Sequence, residues 1–97
     1  METLRVLVVD DEAGMRLGVA RVLRDYNVAI GDIGVSYDFV VDQAESAEEG
    51  LELIRKLEPD LLLLDHKLPG MTGLDLLAEL SEEEKADMLV IMITAYA

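Results

Sequence analysis

Carboxylates close two apolar runs in this sequence: Asp10 and Asp11 end the run 4–9, and Asp65 ends the run 60–65. An aspartate after a strand often caps the following helix, a role open to Asp11 or Glu12. Three acids at matching strand ends suggest more. In a parallel sheet of order 2-1-3-4 the first and third strands are neighbours, and ligands bind outside their carboxyl ends. Like charges gathered there repel one another unless a cation sits among them. Oxygen donors of this kind suit Mg2+, which takes a few carboxylate or carbonyl oxygens, keeps several waters and often shares a phosphate oxygen. A carboxylate in such a site can also act as a nucleophile and form an aspartyl phosphate. Asp65 is the better placed for that, because it stands alone while Asp10 and Asp11 are paired as ligands would be. Thr94, ending a fourth apolar run, comes next along the same edge, where its hydroxyl could donate to a phosphoryl oxygen on Asp65.

Other residues carry less. His66 is the sole histidine, and packing or surface exposure accounts for it better than metal ligation. The five methionines read as adaptable core filling, with Met88 and Met92 assigned to the fourth strand. Gly70 and Gly73 most simply serve a turn.

These side chains need elements to hold them. Residues 4–9 are almost wholly aliphatic and short, the mark of a strand covered on both faces. From Ala13 the period becomes helical, with Leu17, Val19, Ala20, Leu23 and Tyr26 recurring at helical spacing and Arg16, Arg21 and Arg24 available to the other side. Residues 28–37 hold Gly31 and Gly34 and show neither period, which predicts a loop. A second strand is predicted over 38–44. Ser46 and Glu49 match a capping box opening a helix marked by Leu51, Ile54 and Leu57 and stopped by Pro59. A third strand covers 60–65, turn chemistry follows at 68–73, and Leu74, Leu77 and Leu80 mark a third helix. The acidic stretch 81–84 reads as a solvated connection before a fourth buried strand at 88–94. Short apolar strands alternating with amphipathic helices imply an α/β fold on a doubly wound parallel sheet.

Composition narrows the functional classes. Of 97 residues, 52% are hydrophobic, enough for one packed domain over 1–97. Eight Lys and Arg against 21 Asp and Glu give a net charge of −13, which argues against binding nucleic-acid backbones or anionic membranes. Without cysteine, neither disulfides nor thiolate metal sites can form. The N-terminal residues lack a signal-peptide pattern, and no apolar run approaches the length of a membrane span, so a cytoplasmic protein is expected.

Three segments together, Leu7-Val8-Val9-Asp10-Asp11-Glu12, Leu63-Leu64-Asp65-His66-Lys67-Leu68-Pro69-Gly70-Met71-Thr72-Gly73 and Ile93-Thr94-Ala95-Tyr96-Ala97, closely resemble receiver domains of bacterial two-component response regulators. They occur in that family's order and span the chain. The resemblance implies a flavodoxin-like fold and a signalling switch, not an enzyme, phosphorylated on Asp65 by a sensor histidine kinase. It implies that Asp10, Asp11 and Asp65 hold Mg2+, with the backbone carbonyl of Lys67 completing the site. It also makes Thr94 the switch hydroxyl and Ala95 and Tyr96 neighbours of the phosphate.

Two departures stand out. The family carries a fourth helix, a fifth strand ending in a phosphate-binding lysine, and a fifth helix (α4-β5-α5), and the sequence ends at Ala97 without them. A receiver domain incomplete at its C-terminus is therefore expected. Its exposed fourth strand would favour self-association through the sheet edge. The stretch 28–37 is also longer than the family's usual link. The missing lysine keeps open a phosphorylation-incompetent, receiver-like interaction module. An aspartyl-phosphate hydrolase would carry a second Asp where Lys67 stands, and a flavodoxin would carry a phosphate loop after the first strand.

Overall fold

The computed structural model of the chain describes residues 2–24, 27–30 and 35–93. Its centre is a five-stranded sheet of β1 (Glu2–Val9), β2 (Asn27–Ile30), β3 (Val35–Ala44), β4 (Leu61–Asp65) and β7 (Leu89–Ile93), in the order β2-β3-β1-β4-β7. β1 pairs in parallel with both β3 and β4, and β4 pairs in parallel with β7, so the four predicted strands take the expected 2-1-3-4 order.

The region 28–37 departs from the expected loop. β2 lies antiparallel on the outer edge of β3, with Val28 opposite Tyr37 and Ile30 opposite Val35, and the connecting residues 31–34 lie outside the described part. The insertion thus supplies an edge hairpin that lengthens β3 backwards from 38 to Val35. Periodicity failed here because a hairpin ribbon at a sheet edge needs no alternation to form its ladder.

Side-chain parity divides the core. Leu7 and Val9 point to the face where α2 (Ala47–Leu57) and α3 (Gly73–Ala78) lie, joining Ala44, Ile54, Leu62, Leu64 and Leu76 in one buried cluster. Val6 and Val8 point the opposite way, on the side covered by α1 (Ala13–Arg24). Burying a leucine of this kind is worth about 2–3 kcal/mol, so the first cluster dominates the stability.

Helix markers moved in three places. In α1, Ala20 is buried but Leu17 is 60% exposed, because Arg16, Ala20 and Leu23 form the row that meets the sheet. In α3, Leu74 is 60% exposed and Leu76 is the buried leucine. The acidic stretch folds as α4 (Glu82–Ala86), with none of its residues buried, instead of a plain connection.

Caps explain where these helices begin. Ser46 Oγ accepts from the Glu49 N–H at 3.2 Å, one half of the predicted box. Complete reciprocal boxes form at Thr72 with Asp75 and at Ser81 with Glu84. Between β4 and α3 a two-stranded ribbon of β5 (Lys67–Leu68) and β6 (Met71–Thr72) turns through Pro69-Gly70, with Gly70 at φ +76°. Proline followed by a positive-φ glycine is the requirement of a type II turn.

Candidate functional site

The parallel pairing of β1 with β4 places Val9 beside Leu64, and the next residue of each strand is an aspartate. Asp10, Asp11 and Asp65 converge at this end of the sheet, each offering a carboxylate oxygen, all within 4.8 Å of one another. Asp10 is 6% exposed, Asp65 is half-buried and Asp11 is exposed, so the cluster opens to solvent on one side.

Backbone bonds hold the pieces. The Asp10 N–H donates to the Ala44 carbonyl at 3.1 Å, extending the β1–β3 pairing by one residue. Asp10 Oδ1 accepts from the Glu12 N–H at 2.9 Å, which closes an Asx turn just ahead of α1. Asp65 Oδ1 accepts from the Lys67 N–H at 3.2 Å. The His66 N–H reaches the Ile93 carbonyl at 3.0 Å and the His66 carbonyl accepts from the Gly73 N–H at 2.8 Å, fixing the backbone just after Asp65 to both β7 and α3.

Electrostatics mark Asp10. Burial pushes its carboxyl above the ordinary carboxylate value; the Glu12 N–H opposes this, the Asp65 and Asp11 charges add to it, and Arg16 opposes it. Acids destabilised by one another in this way are a site that a divalent cation would relieve. Three hard oxygen donors on one open patch fit Mg2+ and offer nothing to soft metals.

Sequence reasoning overlooked two residues here. Arg16, assigned to the outer side of α1, turns inward, and its Nη1 donates to the Asp10 carbonyl at 2.6 Å. Gly73, read as simple turn chemistry, stands where a Cβ would lie 2.9 Å from the Asp65 carbonyl oxygen. The signal for Arg16 was its i, i+4 and i+7 relation to Ala20 and Leu23. Nothing local signalled Gly73, since its constraint comes from β4. His66 does not join the acid cluster, and its Nδ1 is buried with no hydrogen-bond partner among the described residues. Thr94, Ala95 and Tyr96 lie outside the described residues; Ile93, just before them, is the register partner of Asp65.

Comparison with known proteins agrees with this geometry. The family model described as the response regulator receiver domain matches residues 6–97. The chain is 40% identical over 91 residues to the response regulator GacA of Pseudomonas viridiflava, covering 94% of this chain and 38% of that protein. It is 35% identical over 91 residues to the nitrate/nitrite response regulator NarL of Escherichia coli K12, covering 93% and 38%. The chain therefore spans about two-fifths of the length of these relatives. Among solved structures, the response regulator TrrA of Thermotoga maritima, in complex with Mg2+ and BeF, superposes with TM-score 0.73 at 34% identity, covering 97% of this chain and 71% of that one. A CheY-like receiver domain protein of Methanospirillum hungatei gives TM-score 0.72 at 32% identity, covering 99% and 67%. With the family model matching residues 6–97 and a parallel sheet that brings three aspartates to one rim, the chain belongs to the response regulator receiver domains, signalling modules of two-component systems and not enzymes.

Proposed function

We propose that this receiver domain is a Mg2+-dependent phosphoacceptor whose nucleophile is Asp65. The observation that carries the reading is the convergence of Asp10, Asp11 and Asp65 within 4.8 Å. A carboxylate oxygen of Asp65 attacks phosphorus, the bond to the leaving group breaks, and that group keeps the electron pair. Asp10, Asp11 and Asp65, with the Lys67 carbonyl, are the groups proposed to hold Mg2+, which when bound screens the incoming phosphoryl charge. Thr94 is proposed as the hydroxyl drawn toward the phosphate, with Ala95 and Tyr96 beside it.

Receiver domains typically interact with histidine kinases, and a histidine kinase is the proposed phosphoryl donor for this chain. Among the described residues no helix is long and apolar enough to cross a membrane. The net charge of −13 opposes contact of this chain with anionic membranes or nucleic-acid backbones, and a cytoplasmic location is the one proposed.

The test is phosphorylation by acetyl phosphate with Mg2+, read by mass spectrometry, alongside the melting shift caused by beryllofluoride. Incorporation that is abolished in Asp65→Asn is the expected result. A chain that folds but neither takes up phosphate nor responds to beryllofluoride would instead be a phosphorylation-incompetent interaction module.

The outer edge of β7 supports a second, separate reading, pairing with another copy of the chain. No strand covers that edge among the described residues, and Leu89 and Ile91 beside it are exposed. Strong like charge opposes such pairing, so sedimentation should show a dimer that grows with salt, and a monomer at all salt and protein concentrations rejects it.

A further inference from the structure

We infer that Arg16 is a positioning residue for the cation site, acting through the backbone of Asp10. The inference rests on the reading of the acid cluster as a Mg2+ site. Asp10 stands one residue beyond the end of β1, where its N–H still joins the ladder to Ala44. Its carbonyl has left the ladder and is bound by the guanidinium of Arg16, Nη1 to O at 2.6 Å. A buried carbonyl without a partner costs free energy, and a charged donor is the stronger kind of partner.

The geometry does more than satisfy one oxygen. Arg16 sits in the second turn of α1, its side chain is 14% exposed, and its own backbone N–H donates to the Glu12 carbonyl at 3.2 Å. The Asp10 carboxylate meanwhile accepts from the Glu12 N–H at 2.9 Å. The segment 10–16 is thereby closed on itself, and the direction of the Asp10 side chain follows from it. Glu45, 3.9 Å from Nη2 and mostly exposed, adds little to holding the guanidinium, so the carbonyl bond is the contact that matters. The arginine also brings a positive charge to a patch that otherwise repels itself, without occupying a carboxylate oxygen that a cation needs.

Groups that orient metal ligands typically change affinity by about 10–100-fold when removed. Calorimetric titration of the 97-residue chain with Mg2+ at neutral pH, well below the melting temperature, tests this. Arg16→Met keeps the apolar stem and loses the donors, and should weaken Mg2+ binding by about tenfold or more. Arg16→Lys keeps charge and reach but not the planar fork, and should lose about threefold. Ile54→Val, a core variant remote from the site, should lower the melting temperature and leave Mg2+ affinity as in the parent. Parent-like affinity in Arg16→Met overturns the inference while leaving the cation site intact; where that variant fails to fold, parent-like affinity in Arg16→Lys does the same. A parent chain that binds no Mg2+ overturns both the cation site and the role given to Arg16.

Discussion

The two faces of the sheet are built to different standards. On the side of α2 and α3, Leu7, Leu62, Leu64 and Leu76 are sealed to 1% exposure or less. On the side of α1, Val22 is 65% exposed and Ile91 46%, and Gly14, Met15, Gly18, Val19, Val22, Leu23 and Leu63 border an open apolar depression. Asp10 and Asp65 stand at the rim between them. The closed face is where the strands carrying both acids are gripped, through Val9 and Leu64 immediately before them. The difference teaches that α2 and α3 seal both acid-bearing strands, whereas α1 seals only Val6 and Val8 of β1 and lends the site its arginine.

The sharpest way to break this comparison is to truncate one apolar side chain on each face. Leu64→Ala removes a fully buried side chain and should cost about 2–5 kcal/mol, enough to unfold much of so small a domain. Val22→Ala on the open face should stay within about 0.5 kcal/mol. Urea titration of both variants checks this, and equal losses would mean that α1 is covered as tightly as α2.

The closed face was also the more legible one. Apolar runs bounded by aspartates made β1 and β4 readable, because central strands with apolar residues on both faces leave no polar positions to confuse the pattern. The acids at their tips were readable for the same reason, as the first charged residues after the run. Leu17 and Leu74 misled because an apolar residue near a helix start satisfies helical spacing on either side of the true stripe. The β2 hairpin could not be seen, since edge pairing uses backbone groups that every residue possesses. Arg16 could not be chosen over Arg21 or Arg24 until the phase of α1 on the sheet was known.

Glycines offer a second, smaller contrast. A Cβ on Gly73 would press on the Asp65 carbonyl oxygen at 2.9 Å, on backbone that cannot swing aside. Gly73→Ala should therefore cost at least about 1 kcal/mol by overpacking and displace Asp65 enough to weaken Mg2+ binding. Gly18, inside α1, has nothing within 4 Å of its Cβ position. Gly18→Ala should stabilise the chain by up to about 1 kcal/mol through helix propensity, with Mg2+ affinity unchanged. Thermal melts with and without Mg2+ measure both, and a stabilising Gly73→Ala would show that α3 can retreat from β4.

The smallest effects are those of protons, and they separate the site from the caps by sign. Burial and the neighbouring Asp65 and Asp11 charges hold Asp10 above its ordinary 3.8, so the cation-free native state binds this proton more tightly than the unfolded chain does. Stability from this residue is then highest below the ordinary value and is lost as pH rises through the raised one. Asp75 and Glu84 run the other way: the Thr72 and Ser81 N–H groups draw them below their ordinary 3.8 and 4.5. Their contribution is complete above those ordinary values and is lost as pH falls through the lowered ones. In EDTA, Asp10→Asn should therefore melt higher than the parent near neutrality, with the gap closing on acidification. Asp75→Asn should melt slightly lower near neutrality, and that gap too should close on acidification, from the opposite side. Saturating Mg2+ should erase the advantage of Asp10→Asn, since the cation then relieves the repulsion that made the carboxylate costly. Melts that showed Asp10→Asn below the parent in EDTA at neutral pH would mean that the bond from the Glu12 N–H outweighs desolvation and repulsion together.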